Sequence, residues 1–200
     1  MDNTKITRTA GVLDTLTKTV SGFLSAGGIV CAVFAVLVLI FGSRMFAAGS
    51  LTLELDFLKF HLSAEYQEIT AALKLYVMAG LLAAGTLCFT AAFALTLFRR
   101  ILAPMKEGRP FEAGVSENLK KAARVILIGG AAAEIFGLLE RILLTNAYPM
   151  DEIFSSAAIT ETEYVFSLDL SFVLVAGVVL FLSYIFRYGQ TLQQESDETL

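Results

Sequence analysis

Long apolar runs separated by polar segments dominate the pattern along this chain. A helix that crosses the hydrocarbon core of a bilayer needs about 20 mostly apolar residues, and four runs have that character. They cover residues 20–43, 75–98, 122–147 and 168–186, and the third also carries Glu134, Glu140 and Arg141. The pattern predicts an all-α membrane protein in which four transmembrane helices form one domain, residues 1–200.

The segment after the first run alternates between apolar and polar positions. Leu53 and Leu55 alternate with Thr52 and Glu54 within residues 51–57, which is the period of a half-buried strand. Residues 164–170, before the fourth run, have a similar alternation. Because an unpaired strand exposes an edge, we predict that the first and third loops pair in a small extracytoplasmic β element. Helix extensions at the membrane interface are the alternative.

The composition agrees with a membrane location. Hydrophobic residues make up 56% of the 200-residue chain and charged residues 17%, whereas soluble domains are about 25% charged. The mean hydropathy is +0.70. A signal peptide is a weaker explanation of the first run, because the basic segment and the run together cover residues 1–43, which is longer than the usual pattern.

The distribution of Lys and Arg predicts the orientation. The segment between the second and third runs, with the first residues of the third run, contains Arg99, Arg100, Lys106, Arg109, Lys120, Lys121 and Arg124, whereas residues 148–167 contain neither Lys nor Arg. We therefore expect both termini, the loop 99–121 and the tail 187–200 to be cytoplasmic. Since this rule already explains the basic loop, we do not expect direct nucleic-acid binding.

Glu134 is the candidate centre of an intramembrane polar site. An ionised carboxylate in the middle of a bilayer costs several kcal/mol, so Glu134 is expected to be protonated, paired or exposed to water inside the bundle. Arg141 falls on nearly the same helix face, two turns away, and Glu140 points elsewhere. This site predicts proton coupling or cation binding. An interhelical hydrogen bond without further function is the alternative.

Motifs for catalysis or for cofactor binding do not occur in the sequence. Paired carboxylates, a nucleophile with a base and metal-ligand clusters are missing, and His61 is the only histidine. Cys31 and Cys88 lie inside apolar runs and are expected to pack as small side chains. We therefore expect neither an enzyme nor a cofactor, and a lipid-modifying enzyme is the least favoured of the functions considered.

The segment 104–121 and the tail are candidates for docking a partner. Pro104 and Gly108 mark a turn, Ser116 is a candidate N-cap of the third helix, and Gly189 suits the C-cap of the fourth. The basic loop is expected either to bind anionic headgroups or to dock an acidic partner. The tail itself is acidic and complements the charge of the loop.

Two stretches resemble a bacterial four-span membrane-protein family catalogued as domain of unknown function 2975. The first is residues 108–111, Gly-Arg-Pro-Phe, followed by residues 118–121, Asn-Leu-Lys-Lys. The second is the C-terminal pattern Phe-Arg-x-Gly-x-x-Leu-Gln-x-Glu-x-Asp-x-Thr, met by residues 186–199. Because genes of the family often lie beside the gene for a small helix-turn-helix regulator, the resemblance implies a cytosolic DNA-binding partner. Together with the four spans, resemblance to a bacterial membrane-protein family implies a location in the bacterial inner membrane.

Two functions follow as hypotheses. The first is a membrane-bound regulatory or sensory partner of a cytosolic regulator, and the candidate partners also include the lipid bilayer and further copies of the chain in a homo-oligomer. The second is a small proton-coupled transporter or channel that uses Glu134. The residues proposed to dock the regulator lie in the loop and the tail: Gly108, Pro110, Phe111, Lys120, Lys121, Arg187, Gly189, Glu195 and Asp197.

Overall fold

The structure is a computed structural model that describes residues 3–45, 52–55, 58–61, 71–107, 109, 111–147 and 167–198. Its elements, in chain order, are α1 (Asn3–Met45), β1 (Thr52–Leu55), β2 (Leu58–His61), α2 (Ala71–Lys106), α3 (Ala113–Ala147) and α4 (Ser171–Glu198). The chain divides into two compact units. Unit 1 comprises Met1–Ile29, Gly85–Ala133 and Asp169–Leu200, and unit 2 comprises Val30–Ala84 and Glu134–Leu168.

Within the described residues, four helices are long and apolar enough to cross a membrane, which confirms the predicted four-helix architecture. The four candidate spans lie within Thr9–Gly42, Leu73–Lys106, Gly114–Asn146 and Ser171–Ser196. Large apolar side chains are exposed on every one of these helices, among them Phe23, Phe93, Ile128 and Leu174. Such continuous exposure is unfavourable in water but favourable in lipid, so the chain has the architecture of a multi-pass membrane protein.

The predicted sheet between the first and third loops is not supported. In the described residues β1 pairs with β2 in an antiparallel hairpin, with Leu53 opposite Phe60 and Glu54 opposite Lys59. Residues 167–170, from the other predicted strand, are not in a strand, and residues 148–166 lie outside the described residues. A nearby segment with its own alternation is the easier partner, because closing a short loop costs less entropy than joining two distant loops.

Two predicted helix ends are wrong. α3 begins at Ala113, so the buried Ser116 lies within the helix instead of capping it. α4 continues through Gly189 to Glu198. A glycine within a helix weakens the helix locally, but at Gly189 it permits a close tertiary contact that a larger residue would block. The acidic tail is therefore helical as far as Glu198.

Contacts between α1 and α2 in unit 1 depend on small and hydroxylated residues. The Phe89 ring lies over Gly28, where an added Cβ would be 2.9 Å from the ring Cζ. The Ser21 hydroxyl donates to the carbonyl of Ala92 at 3.1 Å. Small residues let helix backbones approach closely in membranes, and interhelical hydrogen bonds add modest stability. This seam fixes the position of α1 against α2 within unit 1.

Two adjacent glycines of α3 form the next seams of unit 1. Thr90 of α2 packs against Gly129, and Phe172 of α4 packs against Gly130, each in the space that a Cβ would need. Because neighbouring helix positions point about 100° apart, one short glycine segment contacts two different helices. The Gly-Gly pair thus holds α2 and α4 against α3 at nearly the same level.

Candidate docking site at the basic end of unit 1

One carboxylate joins α1 to α2 at the basic end of unit 1, by which we mean residues 9–19, 97–124 and 183–198. Arg99 Nε donates to Asp14 Oδ1 at 2.9 Å, and Lys106 Nζ donates to Asp14 Oδ2 at 2.5 Å. Arg99 and Lys106 are seven residues apart and share a helix face. The sequence analysis did not single out Asp14, although a carboxylate in a largely basic segment and two cations at this spacing were the available signals.

An apolar cluster beneath this end holds three helices together. The buried side chains come from α2 and α3, and half-buried residues of α2 and α4 pack around them. The members of the cluster are Ile101, Val115 and Leu119, with Met105, Val179 and Phe186 around them. Val115 is completely buried, which means that the start of α3 forms part of a packed core. The turn between α2 and α3 is therefore anchored on both sides.

Phe111 joins this turn to α4. Its ring centroid lies 5.9 Å from that of Phe186, with the ring planes tilted by 43°. The same ring covers Gly189, where an added Cβ would be 2.6 Å from Phe111 Cε1 and 2.7 Å from Cδ1. Real Cβ atoms do not approach carbon this closely, so the contact requires glycine unless the ring moves. The structure thus brings together the loop and tail stretches that the sequence analysis singled out.

The turn is stabilised by backbone hydrogen bonds and surface charges. The amides of Glu107 and Arg109 both donate to the carbonyl of Pro104, at 3.1 and 2.9 Å. Arg109 also forms ion pairs with Glu107 and, at 3.3 Å, with Glu112. The hydrogen bond with Glu107, followed by the two carboxylate charges, raises the pKa of Arg109 above its ordinary value. These groups are exposed, so their contribution to stability is small.

A shallow cleft lies beside this turn. Its volume is about 360 Å³, and polar side chains of α2, the turn and α3 dominate its lining. These side chains are Arg100, Glu107, Arg109, Glu112 and Asn118. Two cations and two carboxylates balance each other there, so the cleft has no charge preference that would select an ionic ligand.

The other predicted docking residues are dispersed over the basic end. Lys120 pairs with Glu117 of its own helix at 3.5 Å. The side chains exposed to the surroundings are Lys121, Arg187 and Glu195. Asp197 lies in α4, whereas Gly108 and Pro110 are outside the described residues. Phe111 and Gly189 are therefore the predicted docking residues that the described structure brings into direct contact.

The candidate intramembrane polar residues Glu134, Glu140 and Arg141 all lie in unit 2. The Glu140 carboxylate of α3 packs over Gly80 of α2, where an added Cβ would be 2.7 Å from Glu140 Oε1. Arg141 donates from Nη1 to the backbone carbonyl of Ser167. Glu134 is partly buried on α3. Glu140 and Arg141 thus point to different neighbours.

Metal binding has no evident site in the part of the chain that the structure describes, since no group of three or more His, Cys, Asp or Glu side chains there is arranged to hold an ion.

A family model described as "Protein of unknown function (DUF2975)" matches residues 58–200, more than half of the chain, and the chain belongs to this family. No curated protein and no solved structure matches the chain significantly.

Proposed function

We propose that this member of the DUF2975 family is a regulatory protein of the bacterial inner membrane that binds a cytosolic DNA-binding regulator at its basic end. The asymmetry of Lys and Arg favours a cytoplasmic location for that end. The nature of the partner follows from the family resemblance. The family itself has no established activity, so the role depends on what the basic end can bind.

The contact between Phe111 and Gly189 is the observation that carries this proposal. It fixes the extension of α4, residues 187–198, against the turn. Beside the contact, Tyr188 and Leu192 are 67% and 48% exposed. These two residues are four apart and therefore share one helix face. They follow Arg187, beyond the apolar run, where an exposed aromatic ring and leucine suit a protein partner better than water. The extension thus presents an anchored apolar face.

Regulation requires two states with different affinity for the partner. In the described state Phe111 covers Gly189 and α4 is helical to Glu198. Displacement of the ring would free the extension from the turn and change how Tyr188 and Leu192 are presented. Phe111 is 39% exposed, so its ring is near enough to the surface for a partner to compete for it. The affinity difference would arise at this contact.

The test is crosslinked capture of cytosolic partners from native membranes. The intact chain should capture a small DNA-binding protein, and Tyr188→Ala combined with Leu192→Ala should lose it. Tyr184→Ala is the matched control, because Tyr184 is an exposed tyrosine of the same helix that precedes Arg187. Capture that persists in the double variant, or that is lost equally in the control, would refute this site.

Glycine variants test the contact itself. Gly189→Leu should alter capture, because its side chain would occupy the position of the Phe111 ring. Gly177→Leu in the same helix is the control, since nothing lies within 4 Å of a Cβ added there. If the intact chain captures no cytosolic protein, proton-coupled transport through Glu134 becomes the leading function. Loss of flux in vesicles on Glu134→Gln would then be the result to seek.

A further inference from the structure

The basic side chains at the basic end fall into two groups. In the described structure the first group pairs with carboxylates: Arg99 and Lys106 with Asp14, Arg109 with Glu107 and Glu112, and Lys120 with Glu117. The second group takes part in none of the described ion pairs, and all its members are exposed: Lys18, Arg100, Lys121, Arg124 and Arg187. Internal pairing therefore accounts for only part of the positive charge.

Two adjacent pairs of cations show this division most clearly. Arg99 pairs with Asp14, whereas Arg100 is exposed. Lys120 pairs with Glu117 and its side chain is 18% exposed, whereas Lys121 is exposed. Neighbouring helix residues point about 100° apart, so in each doublet one cation contributes to packing and the other faces the surroundings. The rule that orients a membrane protein by the number of Lys and Arg residues in its loops would not require one cation of each doublet to be exposed.

The exposed cations lie within two residues of an end of the apolar runs that the sequence defines, which are 20–43, 75–98, 122–147 and 168–186. All four helices contribute one close to such an end: Lys18 on α1, Arg100 on α2, Arg124 on α3 and Arg187 on α4. Exposed apolar side chains adjoin them, as Phe98 precedes the Arg99–Arg100 doublet and Ile185 precedes Phe186 and Arg187. In a membrane, the boundary between apolar and charged surface falls at the phosphate headgroups. The cations therefore occur where headgroups meet the helices.

We propose that these five residues form a collar that binds the phosphate headgroups of anionic phospholipids. Basic residues close to a membrane attract anionic lipids at about 1 kcal/mol each, which corresponds to roughly a fivefold preference. An acidic protein would require the cations to form one contiguous patch, whereas these are distributed over four helices at the ends of their apolar runs. That distribution favours lipid as the partner.

A groove along α1 extends the argument from headgroups to acyl chains. Its volume is about 610 Å³, and its lining includes Lys18, Gly22, Phe23 and Ala26. From Lys18 to Ala26 the helix rises about 12 Å, from a cation into apolar surroundings. The small residues leave space beside the Phe23 ring. An anionic lipid with its phosphate at Lys18 and an acyl chain beside Gly22 matches this order of charge and space.

The test measures local lipid preference with a single fluorophore. The chain contains no Trp, so Ile128→Trp introduces the only one, at a site that is 70% exposed. Arg124 and Lys121 lie one and two turns before it on the same face. The full chain is reconstituted in vesicles of zwitterionic phosphatidylcholine and anionic phosphatidylglycerol, and either lipid is brominated to quench the Trp.

Brominated phosphatidylglycerol should bind near the reporter with a preference of about fivefold for each of the two cations there, and Lys121→Gln combined with Arg124→Gln should remove it. The matched control is Glu117→Gln with Lys120→Gln, which removes an internal ion pair without changing the net charge and should keep the preference. Equal quenching by the two lipids in the wild-type background would overturn the proposal and assign these cations to an acidic protein. Equal loss in the control would also overturn it.

A salt titration keeps the test decisive if the charge variant does not fold, as judged by circular dichroism and gel filtration. In the wild-type background, raising the salt from about 0.05 M to about 0.5 M should reduce the preference for the anionic lipid, because exposed charges are screened. A preference that salt does not change would contradict headgroup binding by the collar. This result is independent of whether a cytosolic regulator binds the extension of α4.

Discussion

Replacing Gly189 with alanine should have opposite effects depending on whether Phe111 is present. The added Cβ would lie 2.6 Å from Phe111 Cε1, about 1 Å inside normal contact distance, so the ring must leave. Phe111 is 39% exposed, and burying a whole Phe side chain contributes about 1.5–3 kcal/mol. The lost contact therefore costs about 1–2 kcal/mol.

Alanine also stabilises a helix by about 1 kcal/mol relative to glycine. Gly189→Ala alone should consequently leave the extension of α4 between unchanged and about 1 kcal/mol less stable. In a Phe111→Ala background the steric conflict is gone, and the same substitution should stabilise the helix by about 1 kcal/mol. The coupling between the two positions is thus about 1–2 kcal/mol, or about 5- to 30-fold in an equilibrium.

Hydrogen exchange followed by mass spectrometry over residues 187–198 measures this coupling in the intact protein. The amides should be protected more strongly by Gly189→Ala only when Phe111 is absent. Gly177→Ala serves as the control, because nothing lies within 4 Å of its added Cβ. Equal stabilisation by Gly189→Ala in both backgrounds would show that Phe111 does not pack on Gly189, and the reasoning on the docking site would fail with it.

Three further predictions concern other contacts. Asp14→Asn should lower the melting temperature measurably, because the Asp14 carboxylate joins α1 to two cations of α2, whereas Glu117→Gln, whose carboxylate is 62% exposed and pairs only within α3, should have almost no effect. Gly129→Ala should reduce the folded fraction in gel filtration, and Thr90→Gly should restore it. The hydrogen bonds from Ser171 lower the pKa of Asp169. Its capping contribution is therefore complete above the ordinary Asp pKa of about 4 and is lost as the pH falls through the lower value of the folded state. NMR of the Ser171 amide should show a titration midpoint below that of an Asp in an unstructured peptide.

Hydropathy predicted the four helices because a helix in lipid needs a long apolar run, independently of how the helices pack against one another. It did not predict where the helices end. Gly189 and Ser116 have the residue types of helix caps, yet both lie inside helices. Their surroundings decide: Gly189 lies under the Phe111 ring, and Ser116 lies beside the completely buried Val115. Local propensity is a weak prior when tertiary contacts compete with it.

The candidate site was predictable in its parts but not in its contacts. Resemblance to the family identified the segments that contain Phe111 and Gly189, whereas their contact depends on the rotation of α4 relative to the turn. Asp14 was missed because its two partners are on another helix, and the axial offset between helices is not encoded in periodicity. The hairpin partner of β1 is only four residues long, Leu58–His61, and so short an alternation is a weak signal of a strand.

The uninterrupted helix from Ser171 to Glu198 has a mechanical consequence. Between Ser171 and Gly189 the helix rises about 27 Å, and a stiff rod of this kind carries rotation and axial displacement from one end to the other. One residue inserted between Ser171 and Gly189 would rotate Gly189 by about 100° around the helix axis and move it out from under the Phe111 ring. Insertion of a whole turn of four residues would nearly restore its direction while raising it by about 6 Å. The contact between Gly189 and Phe111 therefore depends on the number of residues that precede Gly189 in α4 as well as on the residue types.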